Sequence, residues 1–240
     1  MRIAITGPEA VCRAMKGKAS TSDREKSRTC RSDETRARMI RAAMDVFGAL
    51  GYEGASTRVL AQRAGVNLAA IPYHFGGKRE LYMAAAQSLA NYVRERVTPI
   101  IVRLRDVDRA SHAARIDEAL SSFFNLVVGG VEPKVWTSFV IRCENDADEA
   151  FKLLHEQIVA RFRDALTETV AEAVGCKADD ENLRLRVAIV LGSIIHFRSL
   201  RNMTLSNLGW EKMTPERLSL LDNAIRHFAV PELLSSPSGT

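Results

Sequence analysis

The sequence predicts an all-α protein. Apolar residues recur at three- and four-residue spacing along most of the chain, which is typical of amphipathic helices. The sequence has no alternating β-branched runs, Asn-Gly hairpin signals or internal repeats, which would indicate strands or a repeat fold. Residues 57–78 have the pattern of two short helices joined by a tight turn. We therefore expect an N-terminal helix–turn–helix domain of three helices, followed by a larger helical domain.

Positive charge is concentrated near the N-terminus. Of the 240 residues, 46% are hydrophobic and 26% are charged, as in ordinary globular proteins, and the net charge is +5. Residues 1–33 hold eight Lys or Arg against four Asp or Glu, residues 34–90 hold seven against four, and residues 91–240 hold nineteen against twenty-one. A basic module joined to a near-neutral one is typical of a nucleic-acid-binding domain attached to a second domain.

The chain divides into three predicted parts. Residues 1–33 lack a periodic apolar face, so we expect a flexible basic arm. This arm either touches a nucleic acid or is only a solvated tail, and Met15 offers a second start. Residues 34–82 are predicted to form the helix–turn–helix domain, and residues 83–235 a helical domain for effector binding and dimerisation.

Local signals predict the helices of the first domain. Apolar residues at helical spacing indicate a first helix, which Gly51 is expected to end. Ser56 and Thr57 are N-cap candidates for a second helix over residues 58–64. The apolar positions of the first helix are Met39, Ile40, Ala43, Val46, Phe47 and Leu50. Those on the inward face of the second are Leu60, Ala61 and Ala64.

Glycine and asparagine mark the next boundaries. Gly65 is expected to adopt a positive φ in the turn, and Asn67 to cap a third helix over residues 68–75. After Gly76 and Gly77, a fourth helix is predicted from Lys78 toward Thr98. The remaining helices are predicted over residues 115–128, 135–142, 147–174, 182–202 and 215–229.

Residues 60–75 supply what two steeply crossing helices need. Ala61 is small at the closest approach, Gly65 makes the turn, and Ile71 anchors the second helix. Such a pair is the geometry that places one helix in the DNA major groove. The alternative, a plain helical hairpin inside a bundle, explains neither the Tyr-His-Phe exit nor the basic residue that follows it.

The outward face of the third helix supplies candidate DNA contacts. Apolar side chains at its start can touch thymine methyl groups, and the Tyr-His pair near its end can hydrogen-bond a base edge or a phosphate. The lysine of the next helix can neutralise a phosphate, and the N-terminus of the second helix can hold another. The predicted DNA-binding residues are Thr57, Arg58, Leu68, Ala69, Ala70, Tyr73, His74 and Lys78.

The second domain offers candidates for a small-molecule effector site. Aromatic residues at helical spacing most often form core, but apolar pockets between bundle helices also hold ligands. Polar side chains at one helix junction and on a later helix can orient such a ligand, or can instead form surface ion pairs. The candidate effector-binding residues are Phe124, Trp136, Phe139, Arg142, Glu144, Asn145, His155, His196 and Arg198.

Small residues in the last helices suggest a homodimer. The helices around residues 187–197 and 218–228 have apolar faces, and Gly192 and Ser193 allow close helix approach. A two-fold, four-helix interface is therefore expected, with burial inside one subunit as the alternative. A dimer would present two recognition helices about 34 Å apart, as a palindromic operator in double-stranded DNA requires.

No catalytic, metal or cofactor site is predicted. His155-Glu156 begins like an H-E-x-x-H motif, but Val159 stands where the second histidine would be, and nucleotide and hydrolase motifs are also missing from the sequence. Four widely spaced cysteines without a C-x-x-C pair argue against a zinc site or a disulfide framework and favour the cytoplasm. No apolar run has signal-peptide or transmembrane length, so no membrane association is expected.

The N-terminal segment resembles the DNA-binding domain of TetR-family transcriptional regulators. The resemblance spans residues 34–82, with the motifs E-T-R-A-R-M-I-R-A-A-M-D-V-F-G-A-L-G-Y-E-G-A-S-T and V-L-A-Q-R-A-G-V-N-L-A-A-I-P-Y-H-F-G-G-K-R-E-L-Y. It implies a dimeric repressor that a small effector releases from DNA. By the same resemblance, Ala69, Ala70 and Tyr73 face the groove, whereas Thr57, His74 and Lys78 match backbone contacts.

The C-terminal half is similar to the CecR-like branch of the family. The similar segments are I-R-C-E-N at 141–145, L-L-H-E-Q at 153–157, G-C at 175–176, H-F-R-S-L-R at 196–201 and G-W at 209–210. Two other function classes stay open at this point: a ligand-independent architectural DNA-binding protein and, less favoured, an all-helical enzyme.

Pro72 departs from the family pattern. Many members carry an aromatic residue there that touches DNA. In a third helix over residues 68–75, Pro72 would be the fifth residue, where it lacks the N–H for a helical bond and strains the carbonyl of Leu68. We therefore expect a kinked or loosened third helix in which Tyr73 takes over part of the contact.

Overall fold

The computed structural model describes residues 21–130, 134–146 and 148–235, with side chains from residue 30 onward except at 134. The regular secondary structure of the described residues is helical throughout, which confirms the predicted all-α class. The chain forms two compact units, one ending at Ala85 and one beginning at Ala86. The predicted border between residues 82 and 83 lies three residues earlier.

The first unit contains α1 (Thr21–Gly54), α2 (Thr57–Ala64), α3 (Ala70–Phe75) and the start of α4 (Lys78–Arg105). Gly51 interrupts α1 with φ 75° and ψ 174°, as its role as a helix stop predicted. Phe47 and Tyr82 meet edge to face, with 4.9 Å between ring centroids, and join α1 to α4. The core of this unit is completed by Met39, Ala42, Ala43, Met44, Val46, Leu60, Ala61, Ala64, Ile71, Leu81 and Ala85.

Three features of these helices differ from the prediction. The backbone is already helical from Thr21, so the arm expected over residues 1–33 is replaced by helix from 21 onward, and its first twenty residues lie outside the described part. Leu50 is 48% exposed, because it comes at the last turn before the Gly51 break, beyond the packed part of α1. Helix α4 continues through Pro99 to Arg105 instead of ending near Thr98.

The second unit contains the rest of α4 and seven further α-helices among the described residues. They are α5 (His112–Val127), α6 (Lys134–Asp146), α7 (Glu149–Leu154), α8 (Arg161–Val174), α9 (Glu181–Ser199), α10 (Arg201–Asn207) and α11 (Pro215–Leu234). A π-helical segment, His155–Ala160, joins α7 to α8 without a break, so the predicted single helix over residues 147–174 is found from Glu149 onward. The helix predicted over residues 182–202 is instead divided at Leu200, where φ is −110° and ψ is 35°.

The core of the second unit lies among α4, α5, α8, α9 and α11. Phe123 and Phe162 stack at its centre, 4.4 Å between ring centroids, and both are buried. One arginine, Arg115, is buried in this core, and a second, Arg226, is half-buried beside it. Arg115 donates from Nη1 to the carbonyl of Leu104, and so provides a hydrogen-bond donor for one of the last carbonyls of α4, which lack a partner within the helix. Arg226 bonds the Asp117 carboxylate, and this bond raises the pKa of Arg226.

Two further observations concern the chain's chemistry. Cys143, which is buried, and Cys176, which is half-buried, are free cysteines. Among the described residues, no helix combines the length and the apolar character that crossing a membrane requires.

Candidate nucleic-acid interface

Helix α2 is fixed by a cap at its start and by packing along one side. The Ser56 hydroxyl accepts a hydrogen bond from the Val59 N–H at 3.2 Å, as the N-cap prediction required. Leu60, Ala61 and Ala64 are buried, so the predicted inward face is confirmed. The N-terminal turn of α2 is left facing outward, with Thr57 half-buried and Arg58 exposed.

The turn between α2 and α3 is a left-handed helix cap. Gly65 has φ 63° and ψ 41°, and its N–H and that of Val66 bond the carbonyls of Gln62 and Ala61. A Cβ added at Gly65 would meet no atom within 4 Å, so the need for glycine comes from the backbone conformation and not from crowding. The predicted positive φ at this turn is therefore confirmed.

Helix α3 begins two residues later than predicted. The Asn67 side chain accepts from the Ala69 N–H at 3.0 Å, and its carbonyl accepts from the Ala70 N–H at 2.9 Å. Asn67 therefore caps a preliminary turn, and the α-helix proper starts at Ala70.

This start corrects the expectation for Pro72. Because α3 begins at Ala70, Pro72 is the third helical residue, where the backbone N–H has no partner within a helix. The proline therefore removes no hydrogen bond, and the Pro72 carbonyl accepts normally from the Gly76 N–H at 2.9 Å. The predicted kink in α3 is therefore wrong.

One side of α3 faces away from the unit. Ile71 is 1% exposed and anchors the helix, whereas Tyr73 is 83% exposed and Leu68 is 46% exposed. Ala69 is also exposed, Ala70 is half-buried, and the rings of Tyr73 and the half-buried His74 meet edge to face at 4.9 Å. The outward side chains of α3 predicted from the sequence thus lie together on one surface of the first unit.

An open groove runs along this surface. It has a volume of about 490 Å³ and connects the start of α2, the turn before α3, and the glycine before α4. Its lining residues are Thr57, Asn67, Leu68, Ala69, Ile71, Pro72 and Gly77. The groove therefore joins three of the predicted contact residues into one continuous site.

Lys78 stands at the first turn of α4. Its ammonium lies 4.3 Å from the centroid of the Tyr52 ring, and the side chain is half-buried. The aromatic face orients the cation without neutralising it, since a cation–π contact involves no negative charge. Lys78 thus keeps a positive charge at a fixed place beside α3.

Sequence reasoning missed the residue that holds the end of α3. Arg36, on α1, donates from Nη1 to the carbonyl of His74, and its guanidinium carbon lies 4.2 Å from the centroid of the Phe75 ring. The two bonded residues are 38 positions apart, so no local spacing could have indicated the contact.

The candidate effector residues are dispersed over the second unit. Phe124 and Phe139 are fully buried, and Trp136 packs edge to face on Tyr92 at 5.0 Å between centroids. His155 starts the π-helical segment, with Nε2 3.5 Å from Nη1 of Arg163. Arg142, Glu144, Asn145 and His196 are exposed, and Arg198 donates from Nε to the Thr137 hydroxyl at 2.7 Å.

A polar cluster that the sequence did not indicate lies inside the second unit. Gln87, Asn91 and Arg94 project from α4 toward Gln157 of the π-helical segment. The side-chain amides of Gln87 and Gln157 exchange two hydrogen bonds, at 2.9 and 3.2 Å, and Arg94 donates to Gln157 at 3.1 Å. We call these four residues the amide–arginine cluster. The i, i+4, i+7 spacing on α4 was visible, but its partner on another helix was not.

Two family models match the chain. The model of bacterial regulatory proteins of the tetR family matches residues 39–85, and that of the C-terminal domain of the HTH-type transcriptional dual regulator CecR matches residues 113–234. The chain is similar to the CecR regulator of Shigella flexneri, at 29% identity over 203 residues, which are 82% of this chain and 90% of that protein. It is 43% identical over 51 residues to the class A tetracycline repressor of Escherichia coli, or 21% of this chain and 24% of that protein.

Solved structures share the fold. The regulator FadR of Bacillus subtilis, in complex with stearoyl-CoA, has a TM-score of 0.58 at 18% identity, covering 82% of this chain and 98% of that chain. A transcriptional regulator from Pseudomonas aeruginosa has a TM-score of 0.58 at 20% identity, covering 84% of this chain and 94% of that chain. The chain belongs to the TetR family of transcriptional regulators, and its C-terminal domain is of the CecR type.

Proposed function

We propose that the protein is a homodimeric repressor that α3 holds on a palindromic operator and that a small-molecule effector releases. The exposure of Tyr73 carries this proposal. Tyr73 is 83% exposed at the centre of a six-residue helix, so it contributes almost nothing to the core, and both its ring and its hydroxyl are available to a partner outside the chain.

The chemistry of the outward surface suits the DNA major groove. Leu68 and Ala69 offer methyl groups to thymine, and the Tyr73 hydroxyl can bond a base edge. Lys78 and the N-terminal turn of α2, with Thr57 and Arg58, would hold phosphates on either side of α3. In this arrangement the phosphate contacts set the register and α3 reads the sequence.

An exposed apolar face on α9 and α11 supports dimerisation. Leu185 and Ile189 on α9 are 59% and 61% exposed, and Leu220 and Phe228 on α11 are 60% and 76% exposed. We call these four residues the dimer face. Gly192 follows on α9, and a Cβ added there would meet no atom within 4 Å. The glycine is therefore unnecessary inside one subunit, but it would allow the close approach of a second copy.

The amide–arginine cluster supports an effector role for the second unit. Arg94 is half-buried and donates to the neutral amide oxygens of Gln157 and Asn91, which are partners that a ligand can replace. Three of the four side chains lie on α4, the helix that also begins with Lys78. A ligand that binds the cluster more tightly in the DNA-free arrangement would move α4 and reduce DNA affinity, as linkage requires.

The test uses DNA selected from a random-sequence pool by the unaltered protein. Binding of that duplex is followed by fluorescence anisotropy while a compound set is added, with stearoyl-CoA included because FadR is solved with it. We expect a palindromic duplex, binding by a dimer, and release by at least one compound. Tight specific binding that no compound weakens would favour a ligand-independent architectural protein, whereas turnover of a compound without DNA binding would favour an enzyme.

A further inference from the structure

The recognition helix is held at two points. Inside the unit, Ile71 is the one buried residue of α3. At the exit of the helix, the contact with Arg36 of α1 supplies the second point. A helix of six residues fixed at a single side chain can pivot about it, whereas a second attachment several residues later also fixes its direction.

The Arg36 contact matches the chemistry of a helix C-terminus. The last carbonyls of a helix lack intrahelical donors and carry partial negative charge, so a guanidinium is a favourable partner for the His74 carbonyl. The planar guanidinium also covers the Phe75 ring, at 4.2 Å from its centroid. A lysine could replace the charge and one hydrogen bond, but not this combination of stacking and directional donation.

We propose that Arg36 is a positioning residue for operator recognition, which sets the direction of α3 and does not itself bind DNA. The inference rests on the proposal that α3 reads the operator. Arg36 lies outside residues 39–85, where the family model matches, so the family assignment does not include it. Arg36 and Arg38 are both exposed on α1, but the guanidinium of Arg36 contacts the His74 carbonyl and the Phe75 ring, and these contacts distinguish it from Arg38.

The experiment compares Arg36→Ala, Arg36→Lys and the matched control Arg38→Ala on the selected duplex. If loss of the contact leaves α3 correctly directed in a tenth of the molecules, the apparent Kd rises about tenfold. We expect the apparent Kd to rise about tenfold for Arg36→Ala, several-fold for Arg36→Lys, and little for Arg38→Ala. Thermal melting followed by circular dichroism checks that each variant is folded. If Arg36→Ala does not fold, Arg36→Lys, a conservative change at the surface, still tests the inference.

The salt dependence of binding separates positioning from direct contact. A residue that neutralises a phosphate contributes about 0.9 to the slope of log K against log salt concentration. A positioning residue leaves that slope unchanged, and it leaves binding to a scrambled duplex unchanged as well, because non-specific binding depends on phosphates alone. We therefore expect Arg36→Ala to lose affinity for the selected duplex only, at constant slope.

The inference would be overturned by a slope reduced by about one unit, by full affinity in Arg36→Ala or Arg36→Lys, or by equal losses in Arg36→Ala and Arg38→Ala. Failure of the underlying proposal is recognised separately with Tyr73→Ala. If neither Tyr73→Ala nor Arg36→Ala changes binding, α3 does not read the operator. If Tyr73→Ala weakens binding and Arg36→Ala does not, only the positioning role of Arg36 is wrong.

Discussion

Phe228→Ala tests whether the dimer face joins two subunits. Phe228 is 76% exposed on α11, and Leu220, about two turns earlier on the same helix, is 60% exposed. Complete burial of a phenylalanine side chain stabilises by about 1.5–3 kcal/mol, so covering this exposed fraction is worth about 1–2 kcal/mol in each subunit. A two-fold interface contains the residue twice, which gives about 2–4 kcal/mol for the dimer. We therefore expect the dimer Kd to rise about 30- to 1,000-fold.

Sedimentation equilibrium over a range of protein concentrations measures this change directly. The matched control is Val107→Ala, since Val107 is 65% exposed in the second unit but belongs to the loop between α4 and α5 and to neither helix of the dimer face. The control should dissociate like the unaltered protein. Unaltered protein that is monomeric at micromolar concentration, or a Phe228→Ala dimer as tight as the control, would refute the assignment of this face.

Two further predictions concern the phosphate contact and the close approach of subunits. Lys78→Ala should weaken binding to all DNA sequences and lower the slope of log K against log salt concentration by about one unit. The control Lys177→Ala, which removes the same charge from the second unit, should change neither. An unchanged slope in Lys78→Ala would exclude the phosphate contact. Gly192→Ala should raise the free energy of unfolding of the monomer by about 0.5–1 kcal/mol, since alanine is the better helix former, yet weaken the dimer. Urea unfolding at low protein concentration measures the stability of the monomer, and sedimentation equilibrium measures the dimer Kd. An unchanged dimer Kd would place Gly192 outside the interface.

The sequence predicted those features of the fold that depend on neighbouring residues. The Ser56 cap, the left-handed Gly65 and the Asn67 side-chain bond are all found, because each is decided by the backbone within a few residues. The inward face of α2 was also predicted, since helical periodicity alone fixes which side chains share a side. The surface that we propose to face DNA was inferred from these local elements.

Features that depend on the rest of the fold were predicted less well. Helix α1 extends back to Thr21 without an apolar face, because a helix already nucleated by its packed part adds turns at little cost. Helix α4 continues past Pro99, which lacks the N–H for a bond to the carbonyl of the exposed Glu95, because Ile100 and Leu104 beyond the proline are buried in the core. The error at Pro72 came from placing the start of α3 two residues early.

The side chains that the sequence missed are tertiary partners. Arg36 meets His74 across 38 residues, and Gln87 meets Gln157 across 70. Both pairs lack a local pattern that could identify one partner from the other. For the same reason the effector residues named from polarity alone, from Arg142 to Arg198, stay predictions that binding measurements must test.

The most direct test of the central claim, that α3 reads the operator, is the binding of Tyr73→Ala to a set of single-base variants of the selected duplex. We expect a loss of about 1–3 kcal/mol in binding free energy on the selected sequence and smaller losses on variants of the base pair that Tyr73 contacts, so that discrimination at that position disappears. Tyr73→Phe, which keeps the ring and removes only the hydroxyl, shows which part of the side chain reads the base. An equal loss on every variant would make Tyr73 a backbone contact, and no loss at all would contradict the claim.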